Sequence, residues 1–227
     1  STTDRIAEVI GECSRMGIKI LAPDVNSSSL HFTPENSGQA VAIRFGLASI
    51  KNVGAAAMRC VIEERAKSGA FHSLEDFCAR LDSHSVNRKI LESLVKCGAF
   101  DCFRKSRAQL FANLDQAMSS AAVLQRDRAS GQGALFDGLD AQAPQSALSP
   151  PVEAWPRNEM LAYERELLGF YLTGHPLEAY SGHFDNPKVT SIAAAQQIEE
   201  PSTVRLAGIV CSVEKKLTKK DGKPFAV

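Results

Sequence analysis

Four residues, Lys51-Asn52-Val53-Gly54, stand directly before a run, residues 55–69, in which Met58, Val61 and Ile62 share one helical face. A tight turn that runs straight into a helix leaves the first amides without intrahelical acceptors, here those of Val53, Gly54 and Ala55. These amides lie at the positive end of the helix dipole. Gly54 has no Cβ to keep an anion off the backbone, and Lys51 adds a positive charge. The chemistry this suits is oxyanion binding, with phosphate the common ligand. The same four residues would also serve as a plain turn between two packed helices.

Other chemistry finds no support. The sequence holds no P-loop, no G-x-S-x-G and no H-E-x-x-H. Its five histidines, 31, 72, 84, 175 and 183, are scattered, and His175, followed by a proline, reads as a turn residue. Glu159, Glu164 and Glu166 fall on one charged helix and are expected to face solvent. No active site is legible.

The elements that would position the turn are mostly helical. Residues 4–16 form an amphipathic helix, and 18–25 a short strand running into a proline turn. The polar stretch 26–39 reads as a loop, and 40–50 mixes strand and short-helix signals. After the helix of 55–69, Ser73 is placed to cap residues 74–81, with Leu74, Phe77 and Leu81 inward. A polar turn, 82–87, offers Ser85 or Asn87 as the next cap. Ile90, Leu91, Leu94 and Val95 then line the helix of 88–98, and 106–130 reads as one long helix. Gly-Ala-Phe closes two of these segments, at 69–71 and 98–100. The repeat implies two helix-turn-helix units of about thirty residues in tandem. Together with the anion-binding turn, this is the logic of a tandem helix-hairpin-helix, which grips DNA phosphates without reading bases. The second turn has no glycine. Any phosphate contact there falls to His84, Ser85, Asn87, Arg88 and Lys89.

Charge is uneven although the net is zero. Residues 44–110 hold 12 basic and 7 acidic side chains, residues 111–200 hold 5 and 12, and residues 201–227 hold 6 and 2. Basic islands flanking an acidic middle are where a polyanion would dock, although a solvated surface of that charge is the bland reading. Five lysines crowd residues 214–224, around an Asp221-Gly222 hairpin turn. The alternation of 204–217 reads as a strand leading into it. A two-strand hairpin is not a stable domain alone, so the chain reads as a piece of a larger protein, cut inside a β-domain. Six cysteines without a C-x-x-C pair read as reduced thiols of a cytoplasmic protein. No apolar run reaches the ~18 residues of a membrane span.

Between the two parts lies a Gly-, Ala-, Ser- and Pro-rich stretch, 129–155. It nevertheless carries Gln132, Leu135 and Phe136 in the pattern Q-x-x-L-F. An amide and two adjacent apolar side chains can fill a preformed pocket on a partner, each side chain contributing roughly 1.5–3 kcal/mol before ordering costs. The alternative is a staple onto the chain's own domain.

Several blocks, in order, resemble one family. "IAEVIGECSRMGIKILAPDVNSSSLHFTP", "IRFGLASIKNVGAAAM", "FHSLEDFCARL", "VNRKILESLVKCGAFD" and "ELLGFYLTGHPLEAY" look like the later part of the alpha subunits of bacterial DNA polymerase III. The resemblance implies the end of the fingers over 1–43 and a tandem helix-hairpin-helix over 44–128. A linker with a clamp-binding peptide would follow over 129–155, then a helical connector over 156–200 and the start of an OB-fold over 201–227. The implied fold class is mainly α, followed by a linker and a truncated β OB-fold. Implied partners are duplex DNA, held at Lys51, Asn52, Val53, Gly54, His84, Ser85, Asn87, Arg88 and Lys89; the sliding clamp, met by Gln132, Leu135 and Phe136; and other subunits of the replicative holoenzyme. No membrane is implied. The family's polymerase activity uses Mg²⁺ held by carboxylates in domains outside this chain, so no cofactor and no catalytic residue are expected here. Two departures stand out. Asn52 occupies a turn that in such hairpins is commonly Gly-x-Gly, although Asn tolerates a left-handed backbone. Gly133 replaces a bulkier residue in the clamp peptide. The rival readings are a free-standing helix-hairpin-helix DNA-binding or repair protein without polymerase activity, and an adaptor whose peptide matters and whose DNA contact does not.

Overall fold

The computed structural model describes residues 2–37, 40–129, 152–184, 189–198, 202–208, 213, 215–217 and 224–226. It is mainly helical and divides into two units, Ser1–Thr173 and Gly174–Val227.

The first unit opens with α1 (Thr2–Arg15), whose Ile6 and Ile10 pack on the core. Three short strands follow: β1 (Lys19–Leu21), β2 (Thr33–Ser37) and β3 (Ala40–Arg44). Their order is β1-β3-β2, with β1 parallel and β2 antiparallel to β3. Strand β2 falls in the stretch expected to be a loop. Its polar residues and Pro34 hide it, and both are tolerated because it is an edge strand. It is held by backbone pairing, Glu35 opposite Ala42 for instance, and by Glu35 accepting from Arg44 Nε at 2.6 Å and Nη2 at 2.9 Å. That hydrogen bonding holds Glu35 below its ordinary value. The mixed signals of 40–50 resolve into both alternatives in succession, β3 and then a 3₁₀ turn at Leu47–Ser49.

Helix α2 (Ala55–Ser68) buries Ala57, Met58 and Val61. Helix α3 (Leu74–Arg80) is capped by Ser73, whose Oγ accepts from the Asp76 amide at 3.1 Å. Helix α4 (Arg88–Lys96) is capped by Asn87, whose Oδ1 accepts from the Ile90 amide at 3.1 Å, and it buries Ile90, Leu91, Leu94 and Val95. The expected long helix is two. α5 (Arg107–Ala112) ends at Asn113, whose amide donates back to Gln109 and Leu110, and α6 (Leu114–Ala129) follows at once.

The Gly-Ala-Phe repeat has a physical basis. Gly69 and Gly98 both take positive φ, 82° and 83°, just past a helix end, where only glycine is relaxed. Each turn then sends its phenylalanine inward, and Phe71 and Phe100 meet Phe77 with ring centroids 4.7 and 4.9 Å apart. One loop ties both closures together. Asn26 exchanges two 2.8 Å hydrogen bonds with the backbone of Phe71, and the Val25 amide donates to Ala99 O at 3.0 Å.

Helix α7 (Arg157–Leu168) lies beyond the 129–155 stretch, yet it belongs to the same unit. Leu167, Leu168 and Phe170 enter the same core as Phe45, Ile50 and Val53, and the Phe170 ring meets that of Phe45. Trp155 packs edge-on against Phe111 and Tyr163.

In the second unit His175 caps a 3₁₀ turn, Pro176–Tyr180, and its amide donates to Glu178 Oε1 at 2.8 Å, as its turn reading anticipates. Short helices α8 (Ser181–Phe184) and α9 (Ile192–Gln196) follow. Of the strand expected over 204–217, residues 204–208 are not in strand, and β4 is Lys215–Leu217. It pairs antiparallel with β5 (Pro224–Ala226). The lysine-rich tip, 218–223, lies outside the described residues.

Candidate nucleic-acid interface

The first hairpin is built by Ile50 to Gly54. Ile50 and Val53 anchor it in the core, while Lys51, Asn52 and Gly54 are exposed. Asn52 sits at φ 66°, the left-handed conformation that its side chain type tolerates and a β-branched residue would not. The turn is closed by the Val53 amide donating to Ile50 O at 3.2 Å. The Val53 amide is therefore spent on the turn and is not free for an anion, contrary to the expectation from sequence. The open donors begin one residue later. Gly54 is the N-cap of α2 without a side-chain cap, and the first intrahelical bond runs from the Met58 amide to Gly54 O at 3.2 Å. Gly54, Ala55 and Ala56 are all exposed, and a Cβ built on Gly54 meets nothing within 4 Å. Gly54 has φ −77°, so no strain demands glycine there. What its lack of a side chain preserves is open space over the amides. Lys51 is exposed and has no carboxylate partner among the described residues.

The second hairpin is organised differently. Asp82 takes the amides: that of His84 on Oδ1 at 3.1 Å, and those of Ser85 and Val86 on its carbonyl at 3.0 Å. Asn87 caps α4 with its own side chain. Arg88 donates to Glu92 Oε1 at 2.8 Å and also pairs with Asp115. Lys89 is exposed, on the same helix end. Here the amides of His84, Ser85, Val86 and Ile90 and the Arg88 guanidinium meet oxygens of the chain itself, whereas the Lys89 ammonium has no carboxylate partner among the described residues.

Two arginines fasten the closures behind these turns. Arg80 donates to the carbonyls of Gly69 (2.8 Å), Ala70 (3.1 Å) and Glu64 (3.2 Å), and lies over the Phe71 ring. Glu64 accepts from Arg80 Nε at 3.1 Å, and hydrogen bonds from Ser68 and Arg80 hold its carboxyl below the ordinary range. At the second closure Arg107 donates to Asp101 at 2.7 and 3.0 Å and to Lys96 O at 3.3 Å. It also donates to Glu164 Oε1 at 3.2 Å. Burial works against the Arg107 charge, but the two carboxylates outweigh it and its pKa is raised.

Glu164 corrects the expectation of a solvated face, because it is fully buried. Besides Arg107 it accepts from the amides of Leu172 (2.9 Å) and Thr173 (3.0 Å) and from Thr173 Oγ1 (3.0 Å). A buried carboxylate is tolerated when paired and fully hydrogen-bonded. The signal was present in the sequence: Leu161, Glu164 and Leu168 lie at helical spacing on one buried stripe. Neither Arg107 nor Glu164 was singled out as a site residue. Burial pushes the thiols of Cys78, Cys97 and Cys102 up to about 12, so they are protonated and inert near neutral pH. Among the described residues no group of acidic, histidine or cysteine side chains is arranged to hold a metal. No helix there is long and apolar enough to cross a membrane. Gln132, Leu135 and Phe136 lie outside the described residues.

Two helix-entry turns on one core, with a glycine-led helix N-terminus at the first, form the arrangement of a helix-hairpin-helix motif. In agreement, residues 17–110 match the family described as a helix-hairpin-helix motif. Along nearly its whole length the chain is also similar to the DNA polymerase III subunit alpha of several bacteria. That of Borreliella burgdorferi is 35% identical over 228 residues, covering all of this chain and 20% of the relative. That of Saccharopolyspora erythraea is 33% identical over 99% of this chain and 19% of the relative. That of Escherichia coli K12 is 34% identical over 97% and 19%. The chain is thus a relative of the DNA polymerase III alpha subunits, and it spans about a fifth of the length of the curated relatives it matches.

Proposed function

We propose that this chain is the part of a replicative DNA polymerase alpha subunit that holds duplex DNA by its phosphates, with the first hairpin as the principal grip. The observation that carries this reading is the uncapped, exposed α2 N-terminus at Gly54, Ala55 and Ala56, beside a lysine with no carboxylate partner among the described residues. Backbone amides at the positive end of a helix bind a phosphate oxygen whatever the base sequence. Gln132, Leu135 and Phe136 would dock on the sliding clamp, so that the enzyme stays on its template between additions. The hairpin of β4 and β5 fits the start of an OB-fold that binds single-stranded DNA. Template-directed synthesis, with its Mg²⁺, is assigned to the rest of a cytoplasmic replication assembly.

Fluorescence anisotropy with labelled duplex DNA and a purified sliding clamp tests both contacts. Duplex affinity should fall steeply as salt rises, because phosphate neutralisation releases counterions, and should be indifferent to base sequence. Replacing Leu135 and Phe136 by Ala should abolish clamp binding and leave the duplex contact unchanged. Absence of duplex binding at low salt sinks the first assignment. Clamp binding that survives the double substitution sinks the second.

A further inference from the structure

The region matched to the helix-hairpin-helix family ends at residue 110, yet the first hairpin is held from outside it. The Lys51 amide, within the turn, donates to Leu167 O at 2.9 Å, in the last turn of α7. Leu167, Leu168 and Phe170 pack into the same core as Ile50 and Val53, and the ring centroids of Phe170 and Phe45 lie 5.9 Å apart. Helix α7 is in turn bolted to the second closure through Glu164 and Arg107, since Arg107 also holds Asp101 and Lys96 O. The chain leaving α7 is fixed by the same carboxylate, which takes the amides of Leu172 and Thr173.

We infer that Glu164 is a positioning residue for phosphate binding at the first hairpin, acting through α7. The carboxylate sets α7 against the second closure, and the Leu167 carbonyl then sets the Lys51 backbone, from which the side chain and the following amides project. This rests on the reading of the hairpin as a phosphate grip. The physical reason to expect an effect is that Glu164 faces only donors. A Gln side chain must turn its amide group toward either the Arg107 guanidinium or the Leu172 and Thr173 amides, and one set loses its acceptor.

The test compares the full chain with Glu164→Gln and, as a milder variant, Thr173→Val, which removes one of the four donors. Two quantities are read: duplex affinity by anisotropy at low salt, and amide hydrogen exchange by NMR at Lys51 and, as a core reference, at Leu94. The expected result for Glu164→Gln is a loss of Lys51 protection with Leu94 still protected, and duplex binding weaker by about 3- to 10-fold. Unchanged Lys51 protection overturns the inference. So does unchanged affinity when Lys51 protection is lost. If Glu164→Gln also unprotects Leu94, the whole unit has loosened, and Thr173→Val decides by the same two readings. If the unsubstituted chain binds no duplex, the site reading itself has failed, and with it the role of Glu164 in binding. The exchange data then report separately whether the carboxylate fastens the hairpin.

Discussion

The two hairpins come from one repeated plan and differ in how their hydrogen-bond donors are used. At the first, a glycine N-cap leaves amides open beside a lysine that has no carboxylate partner among the described residues. At the second, Asp82 and Asn87 consume the amides, and Glu92 and Asp115 consume the charge of Arg88. The same contrast runs behind them. Gly69 has open space around its absent Cβ, whereas Gly98 abuts the Arg107 guanidinium. The first copy is thus equipped to meet a ligand. The second spends its turn amides and Arg88 on the structure itself, and among the described residues only its Lys89 charge is left without a carboxylate beside it.

The largest expected effect separates the two closures. Gly98→Ala would place a Cβ 2.7 Å from Arg107 Cζ, at a position of φ 83°, and so displace a buried guanidinium from its carboxylates. A loss of about 3–5 kcal/mol in urea unfolding is expected, the scale for breaking a buried pair. Gly69→Ala meets no atom and should cost only the backbone strain, about 1–3 kcal/mol. Equal losses would remove the distinction between the closures. The next effect separates the cations. Lys51→Ala should weaken duplex binding several-fold and lower the magnitude of the salt slope by about one. Arg88→Ala, already neutralised by two carboxylates, should change little. The reverse ranking would transfer the grip to the second hairpin. The smallest effect sets stability against binding. Gly54→Ser supplies a cap where the backbone, φ −77° and ψ 140°, already accepts one. It should stabilise the chain by a few tenths of a kcal/mol in thermal unfolding, while filling the space where a phosphate oxygen would sit and so weakening duplex binding.

Much of this was legible in the residues, for local reasons. Asn52 announces a left-handed turn, Ser73 announces one cap and Ser85 or Asn87 the next, and the two Gly-Ala-Phe closures announce a repeat, because each depends on neighbours in the chain. Strand β2 was hidden because an edge strand needs only backbone pairing and shows no apolar alternation. The use of the Val53 amide was hidden because turn closure competes with the helix for that donor. Glu164 was misread as solvated because its charge outweighed its place on the stripe of Leu161 and Leu168. The tie from Lys51 to Leu167 has no local signature, since a backbone carbonyl far along the chain looks like any other.

That tie bears on how the protein is made. A ribosome that has released residues up to Ala129 has supplied both hairpins but not the Leu167, Leu168 and Phe170 side chains that share a core with Ile50 and Val53. At ordinary rates of synthesis the missing stretch of about 40 residues takes roughly 2–8 s to emerge. For that interval the nascent first hairpin stands on an unfinished hydrophobic floor.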